Sequence, residues 1–215
     1  MARTFGVSQI MKKKYKLIPF SDEWEETFGQ PSDPFTMLVF GHPKNGKTEF
    51  CIKFAKYLTK FGKVWYNSVE QGDSKSIQDA MKRNEMAKVA NFMLGDRYHY
   101  DEMVEYLSKP KRGKFIFMDS RDYMKLTTQQ WEDLVAKFPN KSFIIICWEK
   151  AGHPKGESAK DIRFQVDIVA HVKNFKAHVE GRFGGGKAFV IWDKKAREAV
   201  SAGTTPVEQL KLEVA

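Results

Sequence analysis

Thr36-Met37-Leu38-Val39-Phe40 runs without a break into Gly41-His42-Pro43-Lys44-Asn45-Gly46-Lys47-Thr48, and Glu49 then opens a segment that places Phe50, Phe54, Leu58 and Phe61 along one face. An apolar strand, a glycine-bounded loop and an amphipathic helix are thus predicted in immediate succession. The loop satisfies G-x-x-x-x-G-K-[ST], and its context is the one this spacing needs. Its glycines let the backbone wrap an anion with N–H groups, and the helix N-terminus adds a favourable dipole. Lys47 is placed to reach the β- and γ-phosphates of a nucleoside triphosphate, and Thr48 to ligate Mg²⁺. ATP with Mg²⁺ is the expected ligand. The nucleotide-binding set is Gly41, His42, Pro43, Lys44, Asn45, Gly46, Lys47, Thr48 and Glu49. The plainer alternative, a turn whose glycines merely permit positive φ, leaves the flanking strand and helix unexplained.

Working outward, short apolar runs at 63–68, 114–118, 142–147, 166–172 and 187–192 read as further strands. Helical patterns separate the first four strands. Ile77, Met81 and Ala87 approximate one face, and Thr127 with Gln130 has capping-box spacing before Trp131, Leu134, Val135 and Phe138. Continuously apolar strands joined by helices imply an α/β fold, a mainly parallel sheet covered on both faces. The runs at 166–172 and 187–192 have no helical pattern between them and are expected to add an antiparallel C-terminal edge. A chain of 215 residues suits one domain. The expected division is a basic N-terminal arm over 1–24, a core over 25–198 and a weakly held tail over 199–215.

The net charge of +9 gives a field that attracts phosphate polymers or anionic membranes, though solubility alone also accounts for it. No stretch approaches the roughly 18 apolar residues of a membrane span. The basic run Lys12-Lys13-Lys14 is followed by neither an apolar core nor a cleavage site, so a secretory signal is not expected. Cys51 and Cys147 fall in apolar patterns as buried free thiols, which suits a reducing cytoplasm.

Two carboxylates complete the expected chemistry. Asp119 directly follows the run Lys114-Phe115-Ile116-Phe117-Met118, where a second acidic group would hold the Mg²⁺ water shell; otherwise it is a loop carboxylate or helix cap. Glu70 closes the run at 63–68, where a carboxylate can orient or deprotonate water; otherwise it is a solvated loop residue. In parallel sheets the carboxyl ends of strands face the ligand crevice, so both would point towards the phosphates. Trp148 to Gly156 adds polar groups at the same rim, with His153 either a γ-phosphate sensor or a solvated histidine.

With these residues placed, positions 25–193 resemble the RecA/RadA family of P-loop ATPases, including the core-only RecA-like proteins that phages encode for single-strand annealing and recombination. The resemblance lies in Thr27-Phe28-Gly29-Gln30, Glu70, Asp119-Ser120 and Gly152-His153-Pro154-Lys155-Gly156. It continues through Val166-Asp167-Ile168-Val169 and Gly181-Arg182-Phe183-Gly184. It implies a RecA-like P-loop NTPase core with Glu70 as the catalytic glutamate, and assembly as a homo-oligomeric ring or filament. Arg182 would then reach a neighbouring subunit's site; its other reading is a surface arginine in a hairpin turn. Glu180 stands where the RadA motif begins with lysine. The zinc-ribbon and protease-like domains of RadA and the DNA-binding extensions of RecA match nothing in this sequence.

The resemblance implies ATP hydrolysis, slow or DNA-stimulated, in DNA recombination, repair or replication, with single-stranded DNA as partner. Phe175 between Lys173 and Lys176 is a candidate to stack on bases, or else packs on the core. Two other readings use the same loop: a P-loop kinase of a small molecule or nucleoside, and a nucleotide-switched loader module with little turnover.

Overall fold

Met37 to Gly41 are buried in β1 (Thr36–Gly41) in a computed structural model, which describes residues 3–203. The chain goes on to form β2 (Val64–Ser68), β3 (Phe92–Asp96), β4 (Phe115–Asp119), β5 (Ser142–Lys150), β6 (His153–Pro154), β7 (Ile168–Lys173), β8 (Lys176–Gly181) and β9 (Phe189–Val190). They join in one sheet in the order β3-β2-β4-β5-β1-β7-β8-β9, with β6 paired to β5. Pairings from β3 through β7 are parallel, while β8 and β9 are added antiparallel.

Two features differ from the sequence expectation. The run at 166–172 does not begin the antiparallel edge: β7 lies parallel to β1, because the helix Glu157–Gln165 supplies the crossover a parallel neighbour requires. The antiparallel edge is β8 and β9, and β8 escaped notice because its polar and apolar residues alternate. β3 was also missed. It is a half-exposed strand at the sheet's outer edge containing Gly95, followed by the helix Tyr100–Ser108, so no continuous apolar run marks it. The expected capping box does form: Gln130 N–H donates to Thr127 Oγ1 at 3.2 Å, and Thr127 N–H donates to Gln130 Oε1 at 3.1 Å.

Apolar layers cover both faces. On one, Phe50, Phe54 and Leu58 of the helix Lys47–Leu58 pack with Trp24, Phe28 and Phe35. On the other, Met103, Leu107, Trp131 and Leu134 lie over Ile116, Ile145 and Cys147. Burial of each large apolar side chain contributes roughly 1.5–3 kcal/mol. Packing therefore fixes the helix that carries Lys47 and Thr48. Ile18, Phe20 and Trp24 are buried in the first layer, whereas residues 3–17 are exposed. The last described helix, Asp193–Gly203, takes in the first residues of the expected tail, and 204–215 lie outside the described residues. Cys51 and Cys147 are buried free thiols. No described helix is long and apolar enough to cross a membrane.

Candidate nucleotide site

β1 delivers its last residue, Gly41, to a place that admits no side chain, since a Cβ there would lie 2.2 Å from the Val172 carbonyl oxygen. Gly46 takes φ +98 and begins the helix Lys47–Leu58. Between them the loop is tied to the β7–β8 hairpin, where Asn174 N–H donates to Asn45 Oδ1 at 3.0 Å. Lys47 Nζ donates to the carbonyls of Gly41 at 2.7 Å and His42 at 3.0 Å, so the ammonium sits inside the loop it belongs to. Burial lowers its pKa, against the opposing pull of Asp119 and Glu70.

Thr48 Oγ1 lies 3.4 Å from Asp119 Oδ2, and the same carboxylate oxygen accepts a 2.5 Å hydrogen bond from the Tyr66 hydroxyl. Burial raises the Asp119 pKa to about 6; the Tyr66 hydrogen bond opposes the rise, nearby Glu70 adds to it, and Lys47 opposes it again. A hydroxyl and a carboxylate oxygen this close are the hard donors Mg²⁺ takes, and Mg²⁺ usually keeps several waters and substrate phosphates as its other ligands. No group of three or more His, Cys, Asp or Glu among the described residues is arranged for a metal, and Mg²⁺ shared with a phosphate chain needs none.

Glu70 is brought to this point by the turn after β2, whose Val69 and Glu70 N–H groups donate to the Asp119 carbonyl at 2.6 and 2.9 Å. Its carboxylate accepts from Ser120 Oγ at 3.1 Å and from the Trp148 indole at 3.3 Å. Lys47, Thr48, Asp119 and Glu70 line one open cleft of about 720 Å³. Part of the cleft wall is aromatic and cationic: Phe175, Trp192, Lys195 and Arg83 line it, with the Lys195 ammonium 4.2 Å from the Trp192 ring centroid. Such a wall suits a planar heteroaromatic base.

The remaining expected residues fall in different places. Pro43 and Lys44 line the cleft. Glu49 lines it too, but its carboxylate accepts from Arg83 at 2.8 Å and Asn84 at 2.6 Å. His42 turns towards Glu149, 3.2 Å away, and is not on the cleft wall. His153 is exposed on β6 and does not line the cleft. Arg182 follows β8 beside the amino end of β1, at the opposite end of the sheet from the loop, 67% exposed and 3.7 Å from Asp167. Phe175 does not offer a free stacking surface: it packs partly buried on the core and lies 3.1 Å from where a Gly46 Cβ would sit. Sequence reasoning missed Gln71, Arg83, Trp192 and Lys195. Gln71 Nε2 donates to Thr48 Oγ1 at 3.4 Å, and its place directly after Glu70 was the available signal. Trp192 was hidden as the last residue of the run 187–192; the strand itself is shorter, β9 ending at Val190 two residues before it.

No protein-family model matches the chain, and no curated protein matches it significantly in sequence. Solved structures do match in shape. The flagellar accessory protein FlaH from Methanocaldococcus jannaschii aligns with a TM-score of 0.59 at 15% identity, over 82% of this chain and 94% of that one. The KaiC-like protein PH0186 from Pyrococcus horikoshii OT3 aligns with a TM-score of 0.55 at 16% identity, over 77% of this chain and 88% of that one. The chain has a RecA-like P-loop fold. At these identities the likeness establishes the RecA-like architecture alone.

Proposed function

We propose that this RecA-like chain binds and hydrolyses ATP with Mg²⁺, and that it works as a homo-oligomer on single-stranded DNA. The observation that carries the ATPase reading is the convergence of Lys47, Thr48, Asp119 and Glu70 on one cleft from three strands: β1 and its loop lead to Lys47 and Thr48, β2 leads to Glu70, and β4 ends on Asp119. Lys47 and the loop N–H groups bind the phosphate chain, and Trp192 faces the base. Thr48 and Asp119 would hold Mg²⁺, which when bound neutralises developing phosphate charge. Glu70 orients the attacking water and takes its proton, with Ser120 and Trp148 fixing the carboxylate.

The DNA reading is supported by the +9 charge and the RecA/RadA-type motifs. Arg182 stands at the far end of the sheet from the loop, so a part in ATP chemistry would fall at a neighbouring subunit's site. The test is ATP turnover with and without Mg²⁺ and single-stranded DNA, beside sizing of the protein in each condition. Mg²⁺-dependent turnover that rises with DNA in an assembled species is expected. Binding with negligible turnover in every condition would replace the ATPase by a nucleotide-switched module.

A further inference from the structure

The root of the P-loop is gripped by a carboxylate that the phosphate chemistry does not use. Glu149, near the carboxyl end of β5, has a side chain only 6% exposed and divides its two oxygens between two imidazoles. Oε1 lies 3.2 Å from His42 Nε2, and Oε2 lies 2.8 Å from His171 Nε2. His171, on β7, stacks on Phe40 with ring centroids 4.5 Å apart and planes 1° apart. Phe40 and His42 flank Gly41, so the network holds the chain on both sides of the glycine where strand becomes loop. The carbonyls of Gly41 and His42 are the two acceptors of Lys47 Nζ.

A carboxylate this buried is costly unless paired. Burial alone would raise the Glu149 pKa, but the hydrogen bond and charge of His171, with His42 and the Gly152 backbone, hold it below the ordinary range. The group is therefore an anion anchored between the P-loop and β7. A loop already fixed in its binding conformation loses less freedom when a ligand arrives.

We propose that Glu149 is a positioning residue that preorganises the P-loop through His42 and His171. The inference rests on the reading that this loop binds a triphosphate. It places the contribution of Glu149 in nucleotide affinity, since the carboxylate touches neither the phosphate-facing ammonium nor Glu70.

The test compares wild type, Glu149→Gln, His42→Gln and the double variant, using a fluorescent ATP analogue and hydrogen exchange of the ligand-free protein. Each single change is expected to weaken affinity about tenfold, within the range of coupled neighbours. The double variant should be no weaker than the worse single, because both break one connection. Amides of residues 41–48 should exchange faster without any ligand, and in Glu149→Gln the loss should fall on KM for ATP more than on kcat. Where Glu149→Gln lowers the melting temperature, His42→Gln decides, since that imidazole is 58% exposed and its loss leaves the core intact. Affinity and exchange within twofold of wild type in both single variants, or additive losses in the double, would overturn the proposal. Equal binding by wild type and Lys47→Ala would instead sink the P-loop reading, and this inference with it.

Discussion

Tyr66 donates its hydroxyl to Asp119 Oδ2 at 2.5 Å, on the oxygen that Thr48 approaches at 3.4 Å. The carboxylate is buried, and its pKa rises from the ordinary 3.8 to about 6. A folded-state pKa above the unfolded one means that the contribution to stability is full below about pH 4 and is lost as pH climbs through about 6. The shift corresponds to roughly 3 kcal/mol. In the metal-free protein, Asp119→Asn should therefore gain stability relative to wild type between pH 4 and 7. Urea unfolding of both proteins across that range checks it, and a pH-independent difference would mean that Asp119 is not the titrating group.

Lys47→Ala should abolish productive triphosphate binding, weakening it on the order of a hundredfold or more, as expected for loss of a partly buried charge opposite a phosphate. In the variant the Gly41 and His42 carbonyls also lose their donor. Titration with a fluorescent ATP analogue measures this, and wild-type affinity would remove the loop from nucleotide binding.

Glu70→Gln should retain ATP yet hydrolyse it about 10²- to 10⁴-fold more slowly, the usual contribution of a general base. The amide can still accept from Ser120 and Trp148, so the local packing persists. Single-turnover hydrolysis separates the two effects. Wild-type turnover would move the catalytic role elsewhere.

The legible parts of the fold were those with local signals. The strand–loop–helix at 36–58 showed itself because apolar continuity, two glycines and helical periodicity coincide within one segment. Asp119 and Glu70 were placed correctly at strand ends by a rule of parallel sheets. β3 and β8 were not legible: β3 is a half-exposed edge strand, and β8 alternates buried and exposed residues, so neither shows a continuous apolar run. The aromatic part of the cleft wall was hidden for a different reason. Arg83, Phe175 and Trp192 come from segments far apart in sequence, and only the pairing of β9 with β8 and of β8 with β7 brings the last two to the P-loop cleft.

Arg182 makes a prediction that separates subunits from assemblies. Because it stands beside the amino end of β1, Arg182→Ala should leave ATP affinity of a dissociated subunit unchanged and lower turnover only in the assembled state. Mixing Arg182→Ala with Lys47→Ala subunits should restore part of the activity, since a Lys47→Ala subunit can lend its Arg182 to the intact P-loop of an Arg182→Ala neighbour. No recovery at any ratio would leave Arg182 as the partner of Asp167, 3.7 Å away.

Binding to single-stranded DNA is expected to be electrostatic first. Log affinity should fall linearly with log salt, with a slope near −0.7 for each phosphate contacted. Lys173 and Lys176 are poor probes of this surface, because they pair across the hairpin whose tip holds Asn45, and changing them disturbs the P-loop as well. Lys150 and Lys155 are exposed on the β5–β6 hairpin, and Lys155 lies 4.5 Å over the Trp148 ring whose indole donates to Glu70. A phosphate backbone drawn to this hairpin would be felt at the Glu70 carboxylate. Lys150→Ala with Lys155→Ala should reduce the magnitude of the salt slope by about 0.7 to 1.4 and keep ATP binding, while Phe175→Ala should weaken ATP and leave the slope alone. Anisotropy of a labelled oligonucleotide across a salt series, with an ATP analogue and with ADP, reads all of these. If neither nucleotide state binds the oligonucleotide at low salt, the nucleic-acid role falls, and phosphoryl transfer to a small molecule becomes the reading to test next.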